Sequence, residues 1–215
     1  SDEEELNVID NLPGGHWIEG DSLAPPCGSE IEAVHTLLDL ANLQHDDVLY
    51  DLGCGDGRVC LEAFSPMYGC GKCVGVEIEE DLVHRFQCLI EEIPDNYFNL
   101  KDDYNVFQSE SNEVTNEHVE EEPYRQIKAI QADLRDVDLK EATVLCLYLL
   151  PEAIAMIEEK LIKLLQKSPR LRILCNSWGL RSIKAIKSSD VPGTTTSMFL
   201  YTKESLKEIS SVTLD

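Results

Sequence analysis

The sequence predicts a doubly wound α/β fold: a mostly parallel sheet covered by helices on both faces, with a C-terminal antiparallel hairpin. Three observations carry that expectation. Short apolar runs alternate with helix-period segments between residues 29 and 203, the pattern of right-handed crossovers that build parallel sheets. The first run, Val48-Leu49-Tyr50-Asp51, leads into Gly53-Cys54-Gly55-Asp56-Gly57. The last two, Ile183 to Ile186 and Ser197 to Tyr201, are placed to close the sheet as a hairpin.

Taken in order, residues 1–28 form an acidic, loop-rich extension punctuated by Pro13-Gly14-Gly15 and Ala24-Pro25-Pro26. Ser29 and Glu32 have capping-box spacing, and Ile31, Val34, Leu37, Leu38 and Ala41 recur at helical period, so a helix is expected to end near Asn42. The first strand and its glycine turn are followed by a helix from Arg58 to Phe64, then a strand from Cys73 to Glu77 and a helix around Asp81 to Glu92. Ile127 to Asp133 reads as a third strand and Thr143 to Leu149 as a fourth, nearly all apolar as a strand covered on both faces must be. Ala153 to Leu165 is helical and Leu171 to Cys175 is a fifth strand. Residues 95–122 interrupt this order with Asn, Asp, Glu and Ser at no apolar period; they read as an acidic surface insertion, either a solvated loop or an interaction segment. Residues 204–215 are a C-terminal tail, leaving 29–203 as one domain.

The charge distribution narrows the partners. The chain of 215 residues carries 41 acidic and 18 basic side chains, for a net charge of −23. The 122 residues before Pro123 hold only four of the basic ones. Nucleic-acid binding rests on a basic footprint, so none is expected, whereas an acidic field attracts basic, Lys-containing protein segments or simply aids solubility. Eight cysteines scatter through apolar surroundings and no leader opens the sequence, which fits a reducing compartment such as the cytoplasm. Cys70-Gly71-Lys72-Cys73 lacks a second ligand pair, so no metal is expected. No apolar run approaches the ~20 residues of a membrane span, and a monomer is expected.

The chemistry gathers at the strand ends. Glycines after the first strand let backbone approach a ligand at the sheet's switch point. Glu77 ends the second strand, 20 positions past Gly57, where a carboxylate can accept from both ribose hydroxyls. A dinucleotide fingerprint would need a third glycine where Arg58 stands. S-adenosyl-L-methionine has no pyrophosphate to cradle, and its methionine amine wants acceptors such as Asp51. Asp133 at the end of the third strand can accept from the adenine amine, with the Leu134 N–H on a ring nitrogen; the alternative is a helix cap.

The stretches Tyr50 to Val59, Val74 to Ile78, Glu141 to Val144 and Tyr148-Leu149-Leu150-Pro151-Glu152, with Arg172-Ile173-Leu174 and Met198 to Tyr201, resemble the archaeal broad-specificity protein lysine methyltransferases and their mitochondrial relatives. The resemblance spans roughly residues 28–203 outside the insertion. It implies a Rossmann-like class I methyltransferase sheet with S-adenosyl-L-methionine as cofactor. It also implies that Asp51, Gly53, Cys54 and Gly55 line the methionine end, that Glu77 and Ile78 hold the ribose, and that Asp133 and Leu134 hold the adenine. Ser29 falls where the family has a threonine beside proline, with Glu30 in the proline's place. The Asn/Asp-Pro-Pro-aromatic motif of adenine-N6 and glutamine methyltransferases is absent, since Leu147-Tyr148-Leu149-Leu150-Pro151 occupies its position.

A lysine nucleophile must shed a proton from an unperturbed pKa of ~10.4, which an apolar channel beside a sulfonium favours. Tyr148 is the catalytic candidate, shaping that channel and accepting from the amine. Trp178 and Leu150 are candidate walls and Trp17 a candidate lid, against ordinary core packing for each aromatic. Competing readings are a methyltransferase of small molecules or other protein side chains, and a silent cofactor-binding subunit.

Overall fold

In a computed structural model, residues 28–98 and 125–207 are described. Helix α1 (Ile31–Ala41) precedes strand β1 (Val48–Leu52), helix α2 (Arg58–Phe64), strand β2 (Lys72–Glu77) and helices α3 (Glu80–Glu91) and α4 (Asp95–Phe98). Strands β3 (Gln126–Gln131) and β4 (Val144–Leu147) follow, then helix α5 (Pro151–Lys167) and strands β5 (Arg172–Asn176), β6 (Lys187–Asp190) and β7 (Ser197–Tyr201), with a 3-10 turn at Lys203–Leu206. The seven strands pair in the order β3-β2-β1-β4-β5-β7-β6. Pairs β2–β3, β1–β2, β1–β4 and β4–β5 are parallel, while β7 runs antiparallel between β5 and β6. The doubly wound sheet with its C-terminal hairpin is the fold that the alternating pattern predicts.

One apolar layer packs α1, α2 and α3 on one face of the sheet. The other packs α5 with the alternate side chains of β1, β4 and β5. Every residue of β4 is buried, as expected of a strand covered on both faces. Helix α5 opens with Pro151 at its first position, where the missing N–H costs nothing, and ends with Lys167 in the last turn. Among the described residues no helix is long and apolar enough to cross a membrane.

Several expectations shift. Helix α1 is capped at Glu30, not Ser29, and no side chain makes a cap hydrogen bond; the Ser29 hydroxyl is engaged across the fold instead. The hairpin strand begins at Lys187 rather than Ile183, because Ile183 is buried in the α5-side core. That leaves the edge strand Lys187-Ser188-Ser189-Asp190 polar, which discourages pairing with another chain. Strand β3 stops at Gln131, so Asp133 lies in the turn beyond it. The insertion starts as helix α4, whose Phe98 ring lies 5.1 Å from that of Phe64; its residues 99–122, with Trp17 and the extension up to residue 27, lie outside the described residues.

The buried Arg125 ties this end together. It donates to the carbonyls of Phe64 (2.5 Å), Tyr97 (2.9 Å) and Cys70 (3.1 Å), and its guanidinium lies 4.1 Å from the Phe64 ring centroid. The C-terminus of α2, helix α4 and the start of β2 are thus held by one side chain.

Candidate functional site at the carboxyl edge of the sheet

The strand order reverses between β1 and β4, so crossovers leave that point in opposite directions and open a crevice at the strands' carboxyl ends. Asp51 with the glycine turn, Glu77, Tyr148 and Asn176-Ser177-Trp178 all sit at or just past those ends.

The turn is shaped by its own backbone bonds. The N–H groups of Gly53 and Cys54 both donate to the Val76 carbonyl (2.8 and 3.1 Å), and that of Gly57 to the Cys54 carbonyl (2.9 Å). Gly57 has φ +82° and a Cβ there would stand 2.1 Å from the Phe86 ring, so glycine lets α3 close on the turn. Gly55 is also left-handed, at φ +56°, but a Cβ would meet nothing within 4 Å. Its face opens onto the crevice, leaving room for a ligand to approach backbone.

Three acids surround the turn. Glu77 is 8% exposed, and its carboxylate accepts from the N–H of Gly55 (2.9 Å), Ile78 (2.8 Å) and Glu79 (3.2 Å). It therefore braces the glycine turn against the end of β2. Asp51 is 3% exposed; burial, with the Glu77 and Asp56 charges adding, pushes its carboxyl up to about 8. At neutral pH it holds a proton, an acid waiting for a positive charge to ionise it. Burial likewise pushes the Cys54 thiol well up, with the same three acids adding, so Cys54 lines the turn as a neutral group. Asp56 is paired with Arg58 (2.7 Å).

The third predicted acid stands differently. Asp133 accepts from the Arg135 backbone N–H (2.8 Å) and side chain (2.5 Å to the nearest nitrogen). The Arg135 side chain, then its N–H, lowers the Asp133 carboxyl to about 2. These bonds close a local turn on Arg135, and no helix follows for Asp133 to cap. Its loop is held by Lys160 of α5, which donates to the carbonyls of Leu134 (3.4 Å), Arg135 (2.9 Å) and Val137 (2.7 Å). Leu134 packs partly into the α5-side core, while Ile78, just past Glu77, is 59% exposed.

Beyond β4 and β5 the structure brings two predicted aromatics together. The rings of Tyr148 and Trp178 stack at 14°, with centroids 6.3 Å apart. Leu150 is half-buried beside them in sequence, at the N-cap of α5. Trp178 is presented by a tight turn in which its N–H donates to the Asn176 carbonyl (2.8 Å) around Ser177. Ser177 has φ +66°, a conformation rare outside glycine and concentrated at functional turns.

Sequence reasoning missed Asn176, Ser177 and Arg58. Asn176 is 3% exposed and ends β5 one residue beyond the expected boundary; extending the rule of polar strand ends to the fifth strand finds it. Arg58 donates to Asp56 and to the Ser29 carbonyl (2.7 Å). Ser29 is thereby brought to the glycine turn's helix, 29 positions away in sequence.

No family profile matches the chain. Its structure is similar to that of an RNA methyltransferase from Salinibacter ruber in complex with S-adenosyl-L-homocysteine, with a TM-score of 0.58 and 24% identity over 81% of this chain and 92% of that one. The chain has the class I S-adenosylmethionine-dependent methyltransferase fold. The rRNA methyltransferase AviRa from Streptomyces viridochromogenes shares the fold over 96% of each chain, with a TM-score of 0.56 and 12% identity. In sequence, a protein-lysine N-methyltransferase from Saccharolobus islandicus is 28% identical over 150 residues, 70% of this chain and 74% of its own length.

Proposed function

We propose that the protein is an S-adenosylmethionine-dependent methyltransferase whose acceptor is a lysine ε-amine in a protein. The observation that carries the reading is the stacked Tyr148–Trp178 pair flanking a switch point lined by buried acids. The acids fit the cofactor's charges: Asp51 is a buried carboxyl that a sulfonium and an ammonium would ionise. Glu77 stands where ribose hydroxyls need an acceptor, Ile78 offers an exposed apolar face, and Asp133 with Leu134 stands for the adenine. Gly53, Cys54 and Gly55 line the methionine end.

The cofactor supplies an electrophilic methyl group on a charged sulfur. The protein's share is alignment and water exclusion. The Tyr148 hydroxyl accepts from the lysine amine, and the apolar walls of Trp178 and Leu150 favour its neutral form. A 28% identical protein-lysine methyltransferase supports a lysine acceptor, as does the acidic field of the chain. Turnover should therefore rise with pH through the weakly alkaline range, and Tyr148→Phe should lower turnover more than cofactor affinity.

The test incubates the protein with methyl-labelled S-adenosylmethionine and a cell lysate, then locates the label by mass spectrometry. Label on protein lysines is expected. Label confined to RNA or to small metabolites would overturn the lysine reading while keeping the methyltransferase one.

A further inference from the structure

Asn176 joins the turn after β5 to the remote start of α1. Its Nδ2 donates to the Ser29 hydroxyl (3.2 Å), its Oδ1 accepts from the Ser177 hydroxyl (2.9 Å), and its carbonyl accepts the Trp178 N–H (2.8 Å). Ser29 is fixed from the other side by Arg58, which donates to its carbonyl at 2.7 Å while held by Asp56. A hydroxyl has one proton and two lone pairs. With a lone pair occupied by Asn176 and no acceptor for its proton among the described residues, the Ser29 hydroxyl is left as a donor.

The backbone donors of the glycine turn are already spent, since the N–H groups of Gly53, Cys54, Gly55 and Gly57 are bonded within the protein, and the acids Asp51, Asp56 and Glu77 around it attract cations rather than a carboxylate. A ligand carrying ammonium and sulfonium charges suits these acids. Its carboxylate, in turn, needs a hydrogen-bond donor.

We propose that Asn176 is a positioning residue that holds the Ser29 hydroxyl as the donor to the carboxylate of the cofactor's methionine end, while its bonds with Ser177 and Trp178 set the aromatic wall. This rests on the methyltransferase reading above. Cofactor binding and the acceptor wall thus share one buried residue, through its side-chain amide and its backbone carbonyl.

The test is a calorimetric double-mutant cycle of Ser29→Ala and Asn176→Ala, run with two ligands: S-adenosyl-L-homocysteine, and 5′-methylthioadenosine, which lacks the amino acid end. For S-adenosyl-L-homocysteine, each single variant should lose about tenfold in affinity, and the double variant about the same tenfold rather than a hundredfold. For 5′-methylthioadenosine, all four proteins should bind alike, which a merely structural defect would not produce. Should Asn176→Ala fold poorly, the isosteric Asn176→Asp serves: its carboxylate captures the Ser29 proton, so the carboxylated ligand alone should lose more than tenfold. Additive losses, an unchanged Asn176 variant, or equal losses for both ligands would overturn the proposal. A wild type that binds neither ligand would overturn the cofactor reading as well, so the two failures are distinguishable.

Discussion

At neutral pH the buried carboxyl of Asp51 keeps its proton, because its pKa stands at about 8 against an ordinary value near 3.9. A cofactor with two positive centres favours the carboxylate, so binding should expel that proton. At pH 6.5 almost every Asp51 is protonated, and an α-amino group, with an unperturbed pKa of ~7.7–8.0, is already charged. Proton uptake by the ligand therefore does not mask the release, and nearly one proton per site should leave. If only the ionised form binds, apparent affinity should fall roughly fifteenfold between pH 8 and pH 6.5, because about half of Asp51 is ionised at the upper pH and only a few per cent at the lower. Calorimetric titration with S-adenosylmethionine, in buffers of different ionisation enthalpy, counts the protons directly. Asp51→Asn keeps the shape, loses the charge, and should bind weakly, with neither proton release at pH 6.5 nor the loss of affinity on acidification. The ligand-free protein carries the opposite signature. Its folded state holds this proton more tightly than the unfolded chain does, so the Asp51 contribution to stability is full below pH ~4 and is lost as pH rises through about 8. Wild type releasing no proton at pH 6.5, or Asp51→Asn releasing as many, would refute the reasoning.

Three further outcomes are expected. Glu77→Gln keeps the side chain's size but turns an amide N–H toward backbone donors that now face a carboxylate; calorimetry should show S-adenosyl-L-homocysteine affinity lowered about tenfold to a hundredfold, matching a cost of about 1–3 kcal/mol, and unchanged affinity would remove Glu77 from the cofactor site. Arg125→Met deprives three carbonyls of their donor and should cost about 3–5 kcal/mol in urea denaturation without altering the cofactor contacts. Replacing residues 99–122 by a short Gly/Ser turn, leaving α4 and its Phe98 contact intact, should preserve the melting temperature, since loop closure depends weakly on length. The same variant should methylate a Lys-rich substrate more slowly at low salt, with the difference fading as the Debye length falls below ~10 Å.

The sheet was legible because its signals are local and repeated. The run through Val48 to Asp51 with its glycine turn, the apolar β4 and the helical period of α5 each declare themselves within a dozen residues. Placing Asp51 and Glu77 on one edge followed from strand alternation alone, as did placing Tyr148 and Trp178 past neighbouring strands, where their rings stack. What local signals could not show is how a side chain is spent. Ser29 and Glu32 have the spacing of a capping box, yet the Ser29 hydroxyl goes to Asn176, 147 positions away. Asp133 has the chemistry of an adenine acceptor, yet its carboxylate binds Arg135 two positions on.

Such partners are chosen by the folded arrangement. A carboxylate or hydroxyl buried at a strand end must find a hydrogen bond, and several candidates satisfy that demand equally well in sequence. The same indifference explains why Arg125 and Asn176 went unread. Nothing in a lone Arg before a strand, or an Asn at the end of one, distinguishes a solvated residue from one that ties distant segments together. The distinguishing fact is burial, at 1% exposure for Arg125 and 3% for Asn176. Burial of a polar group belongs to the assembled sheet, because it arises only once α1, α2, α4 and β5 have converged on their shared edges. For Glu77 the two levels meet. Its place at the end of β2 was readable from spacing, but its three backbone donors make the glycine turn and the proposed ribose acceptor one mechanical unit. A ligand that draws this carboxylate away must therefore also loosen the turn that Gly55 opens to it.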